Sequence, residues 1–492
     1  MKFTEHSPSI ARVALSLASL AASASCAPRP SSMDPLWAEI TTVPCRYRLP
    51  SGHVEGQSVT CADVRLFEDE PNGATVTLHI ARFRAGTTAS PTATFYLQGG
   101  PGAHAQSELS TLTPERLRTF TTAGDYIVFD QRGAGASRPA LECDAAARAT
   151  TGPDRIRSLE ACLADVRATG VRTHAYDSEH IARDVEAMRK ALGLSQVNLV
   201  ARSYGTRVAL EVLRRYERSV RAVVLDAPVP PDLPTWAEQA RSFEQGLRAL
   251  ASECAQTPRC AERYPSLDAQ VLTAAQQLDA APLRVELGAA TLSLDGALLL
   301  GVLGLALYRR ETYPALPLFI DAARRRDTAV IGAVLREFVS AATLANNGAS
   351  LAMNHVVLCN DSAQYFDDEA VARAESGVHP RVREHFSSLY VSVVRQVCRS
   401  SRPVARSGVT ERVRSAVPTL VLTGAIDPVV PPSYATHVQE TLSRATTLTF
   451  ARVGHGAIET PCGSGITAQF LATPEATVDG VCAQATPTIE FR

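Results

Sequence analysis

No run of like charges, no internal repeat and no long low-complexity tract interrupts this 492-residue sequence. That excludes a charged tail, a solenoid and an extended disordered arm. A basic excess is missing too: 49 Lys and Arg face 50 Asp and Glu, leaving a net charge of −1. The chain therefore lacks the electrostatic footprint of a nucleic-acid binder. Cys-x-x-Cys pairs are absent, which removes the usual zinc-site spacing. Neither a metal, nucleotide nor flavin motif occurs, so no cofactor is expected. The apolar run 296–308 is only thirteen residues long and ends at Arg309-Arg310. It is too short to span a bilayer and reads as a buried helix starting after Asp295.

What is present fits a globular protein with a large core, 45% hydrophobic, and more than one lobe. Lys2 and Arg12 precede the apolar run Val13-Ala-Leu-Ser-Leu-Ala-Ser-Leu-Ala-Ala22, followed by Ser23-Ala-Ser-Cys-Ala27 and a Pro/Ser-rich tether. Residues 1–27 thus read as a signal peptide or lipoprotein leader. Cys26 could be the lipid-carrying first residue of the mature chain, and simple cleavage near Ala24 or Ala27 is the alternative. Either way the protein is expected to be exported: secreted, periplasmic or lipid-anchored. If Cys26 belongs to the leader region, ten of the eleven cysteines remain, an even number that in an exported chain favours disulfides over free thiols. They fall as neighbours (Cys45 and Cys61, Cys143 and Cys162, Cys254 and Cys260, Cys359 and Cys398, Cys462 and Cys482), but spacing leaves connectivity open.

Strand-like runs at Val76-Thr-Leu-His-Ile-Ala81, Ala93-Thr-Phe-Tyr-Leu97 and Tyr126-Ile-Val-Phe-Asp130 are separated by turns and helices. This alternation predicts an α/β protein with a mainly parallel sheet, its first strands pairing antiparallel. After the proline-rich link Asp226-Ala-Pro-Val-Pro-Pro-Asp-Leu-Pro234 the period becomes helical, with few strand signals, until about residue 403. Thr419-Leu-Val-Leu-Thr-Gly424, a helix over 434–442 and Thr447-Leu-Thr-Phe450 then restore the sheet pattern. The expected organisation is a core in two parts, 28–230 and 404–492, interrupted by a helical cap over 231–403.

Chemistry is concentrated in Val197-Asn-Leu-Val-Ala-Arg-Ser-Tyr-Gly-Thr206. An apolar strand breaks at Ser203 and enters a helix in which Val208, Ala209, Val212 and Leu213 recur at helical spacing. A serine on such a corner exposes its hydroxyl, with the next backbone N–H free beside it. The corner requires small residues two before and two after. Gly205 meets this, while Ala201 stands where Gly-x-Ser-x-Gly has its first glycine.

A serine nucleophile needs a base, and the base an orienter, in the chain order Ser, acid, His. Asp427, in the loop Gly424-Ala-Ile-Asp-Pro428 after the strand 419–423, and His455, in Arg452-Val-Gly-His-Gly456 after the last strand, supply them. Asp226, at another strand end, is the rival acid. For the oxyanion hole, the backbone N–H groups of Tyr204 and Gly100 are expected, with Gly99 the alternative to Gly100.

Gln98-Gly-Gly-Pro-Gly102, Asp130-Gln-Arg-Gly133, Arg202-Ser-Tyr-Gly-Thr206, Gly424-Ala-Ile-Asp427 and Gly454-His-Gly456 together resemble the α/β-hydrolase peptidases related to prolyl aminopeptidase, especially the secreted tripeptidyl aminopeptidase branch. Glutamine at 98 replaces the histidine common among prolyl aminopeptidases. The resemblance implies an α/β-hydrolase fold with an inserted helical cap, and release of short fragments from peptides with a free N-terminus. Such an enzyme must hold a protonated amine, and the cap carboxylates Asp361 and Glu244 are the candidates. An esterase or lactonase on small acyl esters, and a non-catalytic binding protein on the same scaffold, are the competing expectations.

Overall fold

The computed structural model describes residues 36–86, 91–147, 152–288, 290–345, 348–401, 408 and 410–492. The leader, Cys26 and the expected boundary near 403 lie outside them. Nine strands form one sheet: β1 (Ala38–Thr42), β2 (Val59–Phe67), β3 (Thr75–Phe83), β4 (Thr92–Leu97), β5 (Asp125–Phe129), β6 (Gln196–Arg202), β7 (Val220–Asp226), β10 (Thr419–Gly424) and β11 (Ala445–Phe450). Their order is β1-β2-β3-β5-β4-β6-β7-β10-β11. From β5 through β11 all neighbours are parallel. The first three strands meander antiparallel, and β3 pairs antiparallel with β5. The expected antiparallel start therefore holds, except that β5 lies between β3 and β4.

The inner parallel strands are largely apolar because both their faces are covered. Successive residues alternate between two cores: Phe95, Leu97, Leu199, Ala201, Val223 and Leu225 face one, while Tyr96, Val200, Ala222 and Val224 face the other. Helices Ser178–Ala191 and Tyr204–Tyr216 cover the first face. Helices Pro114–Thr121 and Pro461–Ala472 cover the second.

From β4 the chain passes to β5 on one side and afterwards to β6 on the other. The loops leaving β4 and β6 thus diverge and open a crevice at their carboxyl ends, the usual place for a ligand in a parallel sheet. Gln98 begins one of those loops and Ser203 the other.

The segment between β7 and β10 is mainly helical, but not uniformly so. It contains an antiparallel hairpin, β8 (Leu283–Leu287) with β9 (Ala290–Leu294), which the sequence pattern did not disclose. Its earlier part packs around Phe243, Leu250, Leu278, Leu300 and Phe319, a core of its own. Helices Leu351–Ser362 and Ser392–Ser401 instead send Met353, Val357, Val394 and Val397 into the core beneath the sheet. The Cys359–Cys398 disulfide joins these two helices across a sequence separation of 39. On chain-entropy grounds, closing a loop of that length is worth about 4 kcal/mol. The other cysteine neighbours pair as well: Cys45–Cys61, Cys143–Cys162, Cys254–Cys260 and Cys462–Cys482.

The helix expected over 296–308 runs Gly296–Ala306, with the Asp295 carboxylate accepting from the Leu298 N–H at 2.7 Å. Leu299, Leu300 and Leu303 are buried, but Leu305 is 71% exposed, so the helix covers the core with one face only. Among the described residues, no helix is long and apolar enough to cross a membrane.

Candidate active site

Ser203 sits where β6 ends and the helix Tyr204–Tyr216 begins, with φ 56° and ψ −128°. A non-glycine residue in that region is strained, and such strain persists only where the surroundings enforce it. Here the Ser203 N–H donates to the Asp226 carbonyl at 2.9 Å, and the Ser203 carbonyl accepts from Thr206 Oγ1 at 2.5 Å. Gly205 is required by close approach: a Cβ there would lie 2.0 Å from the Leu97 carbonyl oxygen. Ala201 needs no such exemption, because its methyl joins the core between Leu97 and Leu225, its register partners on either side.

The loop after β4 comes up against the serine. A Cβ on Gly99 would stand 3.0 Å from Ser203 Cβ and 3.5 Å from its Oγ. Gly100 follows with φ +108°. The loop is braced from the insertion, since Ser350 N–H donates to the Gly102 carbonyl at 2.9 Å and His104 N–H to the Gly348 carbonyl at 3.3 Å. From the other side Gln131 donates to the Gln98 carbonyl at 3.0 Å.

Asp427 and His455 meet. The imidazole Nδ1 lies 2.8 Å from Asp427 Oδ2, and both side chains are buried. The other oxygen, Oδ1, accepts from Val429 and Val430 N–H at 2.9 Å each, so the loop beyond β10 orients its own carboxylate. When Nδ1–H donates to that carboxylate, the neutral ring presents Nε2 as an acceptor. Against the ring packs Tyr308, centroids 5.0 Å apart, and the Tyr308 carbonyl accepts from His455 N–H at 3.1 Å.

Two residues besides Ser203, Asp427 and His455 tie the histidine loop to the serine corner. Arg202 donates from Nη2 to the His455 carbonyl at 3.0 Å and pairs through Nη1 with Glu459. Asp226, the rival acid, does not reach the imidazole by hydrogen bond; its carboxylate accepts from Ala457 N–H at 2.9 Å and Ile458 N–H at 3.4 Å. Burial pushes its pKa up to about 6, although Arg202 and His455 pull it down. Sequence reasoning named Asp226 only as the rival acid and missed Arg202 and Glu459. An arginine closing an otherwise apolar strand was the available signal, since a buried guanidinium demands a partner.

The two carboxylates expected to hold a substrate amine are committed elsewhere. Asp361 is 1% exposed. Its Oδ1 accepts from Ser178 N–H at 3.1 Å and Oγ at 2.9 Å, and its Oδ2 from the Tyr204 hydroxyl at 3.0 Å, with Arg207 Nε at 3.4 Å. Burial raises its pKa, partly opposed by Arg207. Glu244 accepts from His379 N–H at 2.7 Å and from Arg248 at 2.6 Å, pinning its helix to the start of the helix Pro380–Phe386. Both carboxylates are thus engaged by groups of the fold itself, Asp361 on both oxygens and Glu244 with one donor on each. A cavity of about 470 Å³ opens beside the histidine loop, walled by Tyr308, His455, Gly456, Glu459 and the Cys462–Cys482 disulfide. Ser203 is not in its wall.

Comparison with known proteins agrees with this architecture. A sequence model of the alpha/beta hydrolase fold matches residues 97–265, and one of TAP-like protein matches residues 386–482. Serine protease Hip1 of Mycobacterium tuberculosis is 29% identical over 246 residues, 44% of this chain and 45% of that protein. Carboxylesterase B of the same organism is 31% identical over 231 residues, 42% of this chain and 44% of that protein. The matched stretches thus span under half the length of either relative. Among solved structures, the alpha/beta hydrolase MGS-M2 from a Medee basin deep-sea metagenome library aligns at 12% identity, covering 82% of this chain and 96% of that one, with a TM-score of 0.37.

Proposed function

Because the chain is an α/β hydrolase with a TAP-like region, distantly homologous to serine protease Hip1, we propose that it is an exported serine exopeptidase. It releases short N-terminal fragments, from single residues to tripeptides, from peptides with a free N-terminus. The observation that carries this reading is the buried Nδ1 to Oδ2 bond of 2.8 Å between His455 and Asp427, on a loop fastened to the Ser203 corner.

In this mechanism His455 Nε2 takes the proton of Ser203 Oγ as the oxygen attacks the scissile carbonyl, and Asp427 stabilises the imidazolium that forms. The backbone N–H groups of Tyr204 and Gly100 receive the oxyanion. Collapse of the tetrahedral intermediate expels the new amine, which takes its proton from His455. Water, deprotonated by the same ring, then frees the acyl fragment from Ser203. Losing one oxyanion donor from such a site costs roughly 3 kcal/mol of transition-state stabilisation. The leader-like N-terminus and five disulfides support export.

The resemblance to carboxylesterase B favours a second reading, an esterase, whose reaction passes through the same intermediate. Three chromogenic substrates separate them: a free-amine peptide, its N-blocked form and a simple acyl ester. Cleavage of the first alone is expected. Rapid ester turnover without peptide cleavage would replace the peptidase reading with the esterase. Failure of a serine-directed organophosphonate to label Ser203, with no turnover of any substrate, would leave a binding protein.

A further inference from the structure

We propose that Arg202 is a positioning residue for His455: gripped by Glu459, its guanidinium holds the histidine loop against the serine corner. The inference rests on the triad reading above. Arg202 is the last residue of β6 and immediately precedes Ser203, so its backbone is as fixed as the sheet. Its side chain reaches across to the loop at two points, the His455 carbonyl and the Glu459 carboxylate. Glu459 closes the turn Ala457–Glu459, so the two contacts bracket the segment that carries the imidazole.

The loop is moulded around this guanidinium. Gly456, adjacent to the histidine, has φ +110°, and a Cβ there would lie 2.8 Å from Arg202 Nη2. A side chain at 456 would therefore collide with the group that holds residue 455. Arg202 and Glu459 are 23% and 33% exposed, too withdrawn from water for either charge to be left alone cheaply. Both the fork and the charge matter: a planar guanidinium can serve a carbonyl and a carboxylate at once, whereas an ammonium reaches one or the other. Arg202 contacts no reacting atom in this scheme. It acts by setting where Nε2 stands, and a misplacement of about 1 Å in such a group can cost on the order of 100-fold in rate.

The test compares Arg202→Met, Arg202→Lys, Glu459→Gln and the double variant Arg202→Met/Glu459→Gln with Ser203→Ala, using the free-amine peptide and thermal melts. The expectation for Arg202→Met is a kcat lower by about 100-fold with KM within about threefold, and for Arg202→Lys a partial recovery of about tenfold. In the double variant the Glu459 carboxylate is no longer stranded, so it should melt closer to the parent than Arg202→Met does while kcat stays as low as in Arg202→Met. Parental kcat in Arg202→Met overturns the inference. So does restoration of kcat in the double variant, because the loss would then stem from a stranded Glu459 carboxylate. If the Met variants melt early, Arg202→Lys decides: reduced kcat at unchanged melting supports positioning, and parental kcat refutes it. Activity surviving in Ser203→Ala would sink the triad itself. Silence there with parental Arg202 variants sinks only this inference.

Discussion

Asp226 and Asp427 stand on the same rim, one at the end of β7 and the other in the loop beyond the adjacent β10, both withdrawn from solvent. Asp226 spends its carboxylate on the backbone of residues 457 and 458. Asp427 commits one oxygen to Val429 and Val430 and offers the other to His455. The difference lies in the local turn. A carboxylate that accepts from N–H groups two and three residues ahead is held by its own loop and keeps one face for a partner. A strand end supplies the address, and the turn decides which aspartate can orient a base.

Exchanging each of the two residues for its amide analogue puts that comparison at most risk. Asp427→Asn should lower kcat by about 10⁴-fold with the fold intact, since an amide fixes the wrong imidazole tautomer. If Asp226→Asn costs more in peptide hydrolysis than Asp427→Asn, the two aspartates have exchanged roles.

Asp226→Asn should act on stability instead. With the folded pKa raised from 3.8 to about 6, the native state keeps a proton that the unfolded chain has already released. Stability from this group is therefore greatest below about pH 4, declines as pH rises to about 6 and is level beyond, a change of about 3 kcal/mol. The asparagine variant has no such proton, and urea melts between pH 4 and 7 should show the slope reduced accordingly.

The same distinction between holding and reacting extends to Tyr204. Tyr204→Phe removes the hydroxyl that Asp361 accepts, and leaving that buried acceptor short should cost about 1–3 kcal/mol in denaturant melts. Its kcat should change little, because the proposed mechanism uses only the backbone N–H of Tyr204; a collapse of kcat would bring the phenol into the reaction. The smallest effect is expected of Glu244→Gln. Its Arg248 partner is 62% exposed, so the loss should stay within about 1 kcal/mol. KM for a free-amine peptide should be unchanged, and a tenfold rise would return Glu244 to amine recognition.

Much of this was legible in the sequence because it rests on local chemistry. The inner strands announce themselves by largely apolar runs, and Ser203 and Asp427 follow two of them, with His455 after the last strand of the sheet. β2 was hidden because Asp63 and Arg65 break its pattern, Asp63 being satisfied by Arg46 and His79 from elsewhere in the fold. The β8–β9 hairpin is too short, five residues a strand, to stand out among helices. Asp361 looked available on an apolar helix because Ser178, Tyr204 and Arg207, which occupy it, lie more than 150 positions away. Long-range partners of a charge leave no trace in its neighbours.

The unequal demands at positions 201 and 205 carry over to other chains. A methyl is welcome at one flank of Ser203 and impossible at the other, where the Leu97 carbonyl would be 2.0 Å away. A signature insisting on glycine at both flanks discards hydrolases of this kind, whereas one anchored on the downstream glycine alone, with a buried strand before it, retains them.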